Sequence, residues 1–595
     1  MVILGINASH TATACLLKDG EILACISEER LTRIKNKTGL PVLSVKECLK
    51  IANLNISDVD CLVLNFTDPK VHLGYSTFSG DKTKIITSST LNQGQKFLSL
   101  LWHLKEQILI QVPVSKYIMD KVLSMIYKFF IDPKTERKMF ATIEKELHIP
   151  KNKIIKADHH TCHALAGYCA DPESRTKPKL VFSLDSWGDG VCATVSIAKN
   201  GKLERIAKTP AGSSIGDLYG LTTIYLGMKG GEHEYKVMGL APYASKKHYQ
   251  KLADKLNQLI WVNPDLTFSS TIHSSMFYQI LPKMFAYERF DNIAGALQLF
   301  TEQLLCDWVE AAIKKTKIPD IICTGGVFMN VKVNQKLTEL SSVKSIYVFP
   351  SCGDESTAIG AAYYGYITRS QKKDGFLDVK PLKQLYLGGQ FSNKEIKKEI
   401  DKRKKKNFEV KHPKDIEHEI ALLLANGKIV ARFAGRMEWG ARALGNRSIL
   451  ANPEKLEVLA TINDQIKSRD FWMPFAPSIL KEESDKYFIN KKKVFAPYMM
   501  MTFNATDEGK LRLKAAMHQY DFTLRPQVVS EEWNPEYYKL ISEFKRLTGI
   551  GGILNTSFNL HGYPIVYSPA DAIFVFLKSD LKYLALGPFL LSKLS

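Results

Sequence analysis

Short apolar stretches alternate with amphipathic helical patterns along most of the chain, which predicts a mixed α/β fold. The opening VILGINA is followed by TATACLLKDG and EILACISEER, and the Lys-Asp-Gly turn between the last two predicts a β-hairpin. A helical pattern follows in SVKECLKIANL, and DVDCLVLNF predicts another buried strand. The opening of the chain therefore predicts a strand hairpin and a helix that lead into a further strand.

The same pattern divides the chain into domains. We expect an N-terminal domain over residues 1–366, with an insertion over about 70–150, where Lys, Ser, Thr and long apolar helical stretches dominate. A polar, turn-rich stretch predicts a linker over 367–385. The pattern resumes at LYLGGQFSNKEIKKEI, which predicts a second α/β domain over 386–595.

Composition and charge narrow the classes of protein. The 595 residues are 45% hydrophobic and 24% charged, which excludes a disordered, collagen-like or low-complexity chain. The formal net charge is +20, which suits anionic ligands such as nucleotides, phosphates or nucleic acid. The basic run at 402–406 indicates either a nucleic-acid patch or a solvated helix end, and we favour the helix end.

The cysteine spacing and the apolar stretches indicate where in the cell the protein is expected. The 10 cysteines stand singly, without a CxxC pair, which argues against a zinc ribbon or a disulfide framework. The start MVILGINASH lacks the basic and apolar regions of a signal peptide. Lys105 and Glu106 interrupt the most apolar stretch, FLSLLWHLKEQILIQVPV. We therefore expect a soluble, cytoplasmic protein with reduced thiols and no membrane partner.

The motif DHHTCHALAGY indicates a metal site. If it is helical, His159 and His163 lie on one face and can share an ion, whereas His160 points elsewhere. Two surface histidines or a capped core histidine would also explain the pair. Asp354, in PSCGDESTAIGAA, is the candidate third ligand, because one carboxylate and two imidazoles leave coordination positions open. The motif thus predicts a divalent metal of unassigned identity.

Three glycine-bearing turns predict contacts to phosphate, because their backbone amides are open to approach. They occur in SLDSWGDGVCATV, directly after the strand DIICTGG, and where CGDESTAIGAA opens a helix. Their order along the chain is that of the phosphate and adenosine loops in actin-like, hexokinase-like and Hsp70-like ATPases. The candidate residues in these turns are Asp185, Gly188, Gly190, Gly325, Gly326 and Gly353.

Arginines mark a second anion site in the C-terminal part. Arg436, Arg442 and Arg447 recur within GRMEWGARALGNRSIL, as expected of a loop around a phosphate or carboxylate. Ion pairing within the domain is the alternative, although acidic residues are scarce beside these motifs. Further candidates follow at Lys467, Arg469, Arg525, Asn555, Thr556 and Ser557.

Taken together, the motifs resemble the O-carbamoyltransferase family of the nodulation-protein (NodU) and cephalosporin-carbamoylation (CmcH) type, which also serves aminoglycoside and polyketide pathways. The resemblance covers nearly the whole chain apart from about 70–150. The matching strings are GINASHTATACLLKDG, DHHTCHALAGY, LDSWGDG, EYKVMGLAPYA, GGVFMN, GDESTAIGAA, GRMEWGARALGNRSILANP, DFTLRPQVV and TGIGGILNTSFNLHGYPIVYSPADAI.

The resemblance implies an actin-like (ASKHA) N-terminal domain related to tRNA threonylcarbamoyl-transfer proteins, and a YrdC-like C-terminal domain. The C-terminal domain would make carbamoyl adenylate from carbamoyl phosphate and ATP. In the N-terminal domain a metal, usually iron as Fe(II), would hold this intermediate for attack by a hydroxyl of a small molecule or sugar. Nucleic acid is not expected as a partner, and related enzymes suggest a homodimer.

Residue roles are implied in the same way. His159, His163 and Asp354 would bind the metal, and His10 would act as the general base. The residues expected to bind cofactor are Asp185, Gly188, Gly190, Lys236, Gly325, Gly326, Asn330, Arg436, Arg442, Arg447, Ser448, Lys467, Arg525, Asn555 and Ser557.

The chain also departs from the family pattern. Thr11 stands where the family has Asp, Ala441 replaces a proline, Met473 replaces an arginine, and Phe522 replaces a glycine. We interpret the chain as an active but divergent enzyme. The alternatives are a catalytically inactive nucleotide-binding scaffold, transfer of a carbamoyl-type group to tRNA, and a sugar kinase, which would leave the second domain unexplained.

Overall fold

A computed structural model describes residues 1–67, 133–174, 176–370, 378–403, 408–467 and 469–594, except for some side chains. The chain divides into two compact units, 68–151 on the one hand and 1–67 together with 152–595 on the other. Most of the predicted insertion and part of the predicted linker lie outside the described residues, as does most of the basic run at 402–406.

The first sheet has five strands in the order β3-β2-β1-β4-β5. The strands β1 to β3 form an antiparallel meander, and β1, β4 and β5 are parallel. Asp19 and Gly20 have positive φ between β2 and β3, which confirms the predicted hairpin. The elements up to residue 156 are β1 Val2–Asn7, β2 Thr13–Lys18, β3 Glu21–Ser27, α1 Glu29–Thr32, α2 Val42–Ile51, β4 Cys61–Leu64, α3 Pro133–Leu147 in the smaller unit, and β5 Ile154–Lys156.

A second five-stranded sheet repeats this topology in the order β8-β7-β6-β11-β12, again with three antiparallel strands followed by parallel ones. Its region contains α4 His159–Ala170, β6 Lys179–Gly188, β7 Val191–Lys199, β8 Lys202–Pro210, α5 Ile215–Tyr225, α6 Glu234–Leu240, α7 Lys246–Leu259, β9 Ile260–Val262, β10 Phe268–Ser270, α8 Phe277–Met284, α9 Phe290–Thr316, β11 Asp320–Thr324, α10 Val331–Glu339, β12 Ser345–Val348 and α11 Glu355–Arg369.

The helices α4 and α11 cross in close contact, and this crossing sets the geometry of the site described below. A Cβ added at Gly360 would lie 1.7 Å from the carbonyl oxygen of Cys162. One added at Gly5, in β1, would lie 2.1 Å from the carbonyl oxygen of Ala358. Only glycine permits this approach, which brings the N-terminal ends of both helices to the same place.

We expect Gly360→Ala to lower the free energy of unfolding by about 3 kcal/mol, because the new methyl group meets rigid backbone. Gly220→Ala is the matched control, since its Cβ would meet nothing nearer than 3.7 Å and alanine is the better helix former. The midpoint of urea unfolding measures both changes. Equal midpoints for the two variants would contradict the close packing of α4 and α11.

An eight-stranded mixed sheet forms the core of the C-terminal region, in the order β13-β22-β21-β14-β15-β20-β16-β19. Its region contains α12 Asn393–Asp401, β13 Phe408–Lys411, α13 Ile416–Ala425, β14 Val430–Phe433, β15 Arg447–Ala451, α14 Glu457–Ala460, a π-helical turn Thr461–Lys467, β16 Ala476–Leu480, α15 Ser484–Tyr487, β17 Phe503–Asn504, α16 Asp507–Arg512, β18 Thr523–Leu524, β19 Gln527–Val529, α17 Pro535–Thr548, β20 Gly552–Ser557, α18 Pro569–Lys578, β21 Tyr583–Leu586 and β22 Phe589–Lys593.

These elements confirm the predicted mixed α/β class. The strands of the first two sheets end at Val348, and those of the third begin at Phe408. The domain boundaries at 366 and 386 stay a prediction. None of the described helices is long and apolar enough to cross a membrane. The ten cysteines form no disulfide, and nine of them are buried, where thiols pack as small apolar groups.

Candidate functional site

Two histidines open helix α4 on one buried face. Asp158 caps the helix by accepting a hydrogen bond from the Thr161 amide at 2.8 Å. His159 and His163 are fully buried, and their Nε2 atoms lie 3.1 Å apart. The helical spacing that the sequence predicted is therefore confirmed, and both imidazoles face the same point.

Two carboxylates complete a cluster around the histidines. Asp354 Oδ1 lies 3.7 Å from His159 Nε2 and 3.9 Å from His163 Nε2. Asp185 Oδ2 lies 3.1 Å from His163 Nε2. One ligand atom from each of the four residues lies within 4.8 Å of all the others. The three predicted ligands are thus brought together, and Asp185, which we expected to bind cofactor, joins them.

The charges of this cluster fit a divalent cation. Burial opposes ionisation of Asp185, but the hydrogen bond and charge of His163 outweigh it and lower the pKa of that carboxyl. Burial, followed by the charges of Asp185 and Glu355, raises the pKa of Asp354 well above its usual range. A cation between the two carboxylates would relieve this repulsion, and imidazole with carboxylate is a donor set suited to a first-row divalent metal.

Neighbouring groups fix the orientation of the histidines. His163 Nδ1 lies 2.9 Å from Ser356 Oγ, and the His159 amide donates to Asp189 at 2.9 Å. A Cβ at Gly188 would lie 2.2 Å from the His159 ring, so only glycine leaves room for it. His160 instead contacts Ser183 Oγ at 2.8 Å and the Val191 carbonyl at 2.9 Å, as a core histidine does.

The glycine turns support the cluster in different ways. Gly326 donates its amide to Asp185 Oδ2 at 3.2 Å. Gly325 has a φ of +92°, and a Cβ added there would lie 2.3 Å from the Leu184 carbonyl oxygen. Gly190 has a φ of +78° in the turn between β6 and β7. Asn330 is not among the four cluster residues, and it caps α10 and exchanges hydrogen bonds with Gln298.

His10 follows β1 and lies within the electrostatic influence of the cluster. Burial lowers its pKa, while the charge of Asp185 and a hydrogen bond to the Gly231 backbone oppose that shift. The next residue, Thr11, has φ +52° and places its hydroxyl 3.5 Å from Glu355. The imidazole of His10 is therefore held mainly in the neutral form that can accept a proton.

A second cluster consists of three guanidinium groups, those of Arg442, Arg469 and Arg525, and we call it the arginine cluster. Burial, then the charge of Arg469, lowers the pKa of Arg442 to about 10. Burial and the charges of the other two lower the pKa of Arg525 well below its usual range. None of the three forms an ion pair with a carboxylate among the described residues. Such a group of cations is chemically suited to a polyanion.

Two other arginines that the sequence predicted to bind an anion instead donate hydrogen bonds to backbone carbonyls. Arg447 is completely buried, stacks 3.6 Å from the Phe433 ring centroid, and donates to the carbonyls of Ala434 at 2.6 Å and Gly435 at 3.3 Å. Arg436 donates to the carbonyls of Leu23, Leu387 and Gly388. Each guanidinium therefore donates to backbone carbonyls instead of joining the arginine cluster, and the buried Nε of Arg447 has no hydrogen-bond partner among the described residues.

The remaining predicted residues hold the C-terminal loops. Ser448 accepts the Gly445 amide at 3.0 Å, Asn555 donates to the Ala443 carbonyl at 3.1 Å, and Ser557 bonds Asn559 at 2.6 Å. Lys236 forms an ion pair with Asp470 at 2.8 Å. Lys467 ends the π-helical turn, but its side chain lies outside the described part of the chain.

The two clusters are joined by residues that no sequence motif indicated. The buried Glu438 accepts the amides of Leu444, Asn446 and Arg447, and so folds the loop that carries Arg442. At the tip of that loop the Ala441 amide donates to Ser351 Oγ at 3.1 Å. Ser351 also donates to Glu355, the neighbour of Asp354. No local sequence pattern predicts these contacts, because each joins residues that are distant along the chain.

Comparison with known proteins identifies the family. The carbamoyltransferase N-terminus model matches residues 2–363, and the carbamoyltransferase C-terminus model matches 421–593. The chain is 28% identical to nodulation protein NolNO of Sinorhizobium fredii, over 98% of this chain and 79% of that protein. It is 29% identical to 3'-hydroxymethylcephem-O-carbamoyltransferase of Amycolatopsis lactamdurans, over 47% of this chain and 50% of that protein.

Among solved structures, nucleotide-bound full-length HypF matches with a TM-score of 0.32 and 12% identity, over 62% of this chain and 56% of that one. The two family models together cover most of the chain. On that ground, the protein is an enzyme that belongs to the carbamoyltransferase family.

Proposed function

We propose that the protein is an ATP-dependent O-carbamoyltransferase. It moves a carbamoyl group from carbamoyl phosphate, through carbamoyl adenylate, to a hydroxyl of a small-molecule or sugar acceptor. The observation that carries this proposal is that one loop connects the arginine cluster with the four-residue cluster. That loop presents Arg442 to the arginine cluster and, one residue earlier, bonds Ser351 beside the four-residue cluster.

The domain assignments belong to the same proposal. The strand order repeated in the first two sheets supports an actin-like fold for the N-terminal domain. The separate mixed sheet, with the arginine cluster in the same region, supports a YrdC-like role for the C-terminal domain. Adenylate formation and carbamoyl transfer would then occur in different parts of one chain.

In the first half-reaction, the arginine cluster binds the phosphate oxygens of ATP and carbamoyl phosphate. Three guanidinium groups without carboxylate partners among the described residues offer paired N–H donors to a polyanion. Their charge offsets the negative charge that builds on the departing pyrophosphate. Water first cleaves carbamoyl phosphate to carbamate and inorganic phosphate, and a carbamate oxygen then attacks the α-phosphorus of ATP. The products are carbamoyl adenylate, inorganic phosphate from carbamoyl phosphate, and pyrophosphate from the β- and γ-phosphates of ATP.

In the second half-reaction, His10 accepts the proton of the acceptor hydroxyl as the oxygen bonds to the carbamoyl carbon and AMP leaves. The lowered pKa of His10 keeps its imidazole neutral at pH 7, as this role requires. His159, His163, Asp185 and Asp354 would hold a divalent metal, Fe(II) in this proposal, which when bound supplies a Lewis acid for the adenylate phosphate.

We expect His10→Ala to slow carbamoyl transfer by about 10²- to 10⁴-fold, the usual contribution of a general base. Exchange of ATP with pyrophosphate and the metal content should not change, because His10 belongs to neither the arginine cluster nor the metal ligands. His248→Gln, at an exposed histidine, is the control. Single-turnover transfer from preformed adenylate measures the effect, and an unchanged rate would rule out His10 as the base.

The test of the proposed function is ATP–pyrophosphate exchange with the purified protein, with and without carbamoyl phosphate. Exchange that requires carbamoyl phosphate would support adenylate formation. Bound metal and nucleotide without any exchange would instead favour the inactive scaffold. A homodimer and a cytoplasmic location stay predictions that this assay does not address.

A further inference from the structure

Among the described residues the arginine cluster has no carboxylate partner, although acidic residues stand close to it along the chain. Asp470 directly follows Arg469, and Asp521 precedes Arg525 by four positions. Burial lowers the pKa of Arg469, and the charges of Tyr235 and then Asp470 oppose that shift. The Asp470 carboxylate is therefore within electrostatic reach of the cluster, where a guanidinium group would be its natural partner.

Each of these two acids is bound instead by a lysine from the part of the chain that carries the four-residue cluster. Lys236, in α6, lies 2.8 Å from Asp470 Oδ2. Lys332, in α10, forms an ion pair with Asp521 and donates to the Thr523 hydroxyl at 2.6 Å. Both lysine side chains are largely buried, and a buried ammonium group is costly unless it is paired. Burial therefore favours the paired arrangement in both places.

Lys236 makes a second contact with the loop that carries Arg469. The Trp472 indole Nε1 donates to the Lys236 backbone carbonyl at 3.1 Å. Because this hydrogen bond uses the backbone of Lys236, it remains possible when the lysine side chain is shortened or replaced. The ion pair with Asp470 can therefore be tested separately from the anchoring of the loop.

We propose that Lys236 is a positioning residue that keeps the Asp470 carboxylate away from the arginine cluster, so that the guanidinium groups stay open to phosphate. The inference rests on the proposed function for the identity of the anion. Without the Lys236 ammonium group, Asp470 would turn to the neighbouring guanidinium groups and compete with phosphate oxygens for their donors. The pair of Lys332 and Asp521 repeats this arrangement in the segment before Arg525.

The test measures binding of inorganic pyrophosphate to the purified protein by isothermal titration calorimetry. Lys236→Met should weaken binding about tenfold, because the charged hydrogen bonds that Asp470 then makes compete with those to phosphate. Lys236→Met combined with Asp470→Asn should bind within about twofold of the wild-type protein, because no carboxylate is left to compete. Arg442→Met should lose most of the binding, which assigns the signal to the arginine cluster. Lys397→Met, at an exposed lysine paired with Asp401 at 2.7 Å, is the matched control.

The double variant separates this role from direct binding of phosphate by Lys236 and from a purely structural role. In either of those cases binding would stay weak after Asp470→Asn is added, and that result would overturn the inference. Unchanged binding in Lys236→Met, wild-type affinity in Arg442→Met or no binding to the wild-type protein would overturn it as well. ATP–pyrophosphate exchange is measured in parallel and decides the proposed function. The expected binding pattern without exchange would refute only that function, and exchange without the pattern would refute only the role of Lys236.

Discussion

Arg442→Met is expected to reduce carbamoyl-phosphate-dependent ATP–pyrophosphate exchange by about a thousandfold. The charge of Arg469 lowers the pKa of Arg442, and the charges of both lower the pKa of Arg525, so an anion bound among the three would offset their repulsion. Methionine keeps most of the side-chain volume but removes the donors that would meet the phosphate oxygens. Removal of one such donor from a catalytic site typically costs 10²- to 10³-fold in rate.

The design of this experiment separates binding from folding. Arg546→Met, at an exposed arginine paired with Glu543, should leave exchange unchanged. Metal content should stay the same in Arg442→Met, because the guanidinium is not part of the four-residue cluster. Exchange at the wild-type rate in Arg442→Met would contradict the assignment of the arginine cluster to the first half-reaction. A parallel loss of metal would indicate general misfolding.

Arg447 illustrates what sequence reasoning does and does not resolve. Three arginines in one motif predict a loop around an anion, but only Arg442 belongs to the arginine cluster. The loop changes direction at Gly440 and Gly445, which both have positive φ. The buried Glu438 accepts hydrogen bonds from amides of this loop. Arg447 therefore points into the core and binds carbonyls. Spacing along the sequence could not separate the two roles, since tertiary contacts decide them.

The four-residue cluster was easier to predict, because helical periodicity places His159 and His163 on one face. The role of Asp185 was harder to assign. Its hairpin was predicted correctly, but nothing in SLDSWGDG tells whether the carboxylate faces a phosphate or the histidines. The packing of β6 against α4 settles that question, by placing Asp185 3.1 Å from His163. The junction through Ser351 lay beyond prediction for the same reason.

Gly188→Ala is expected to weaken metal binding at least tenfold and to slow carbamoyl transfer by about 100-fold, with pyrophosphate exchange unaffected. Gly188 lies outside the positive-φ region, so its backbone accepts alanine. The new Cβ would however lie 2.2 Å from the His159 ring, which must then move away from the other ligands. Disturbing the groups that position a metal ligand commonly lowers metal affinity or activity 10- to 100-fold.

Gly190→Ala, two residues further in the same hairpin, provides the matched control. Its Cβ would meet no atom within 4 Å, but its φ of +78° imposes backbone strain of about 1 kcal/mol on alanine. We therefore expect Gly190→Ala to lower stability slightly and to retain metal, and Gly188→Ala to lose metal. Metal content by mass spectrometry and the thermal midpoint distinguish them. Full metal occupancy in Gly188→Ala would show that His159 is not a ligand in the position described.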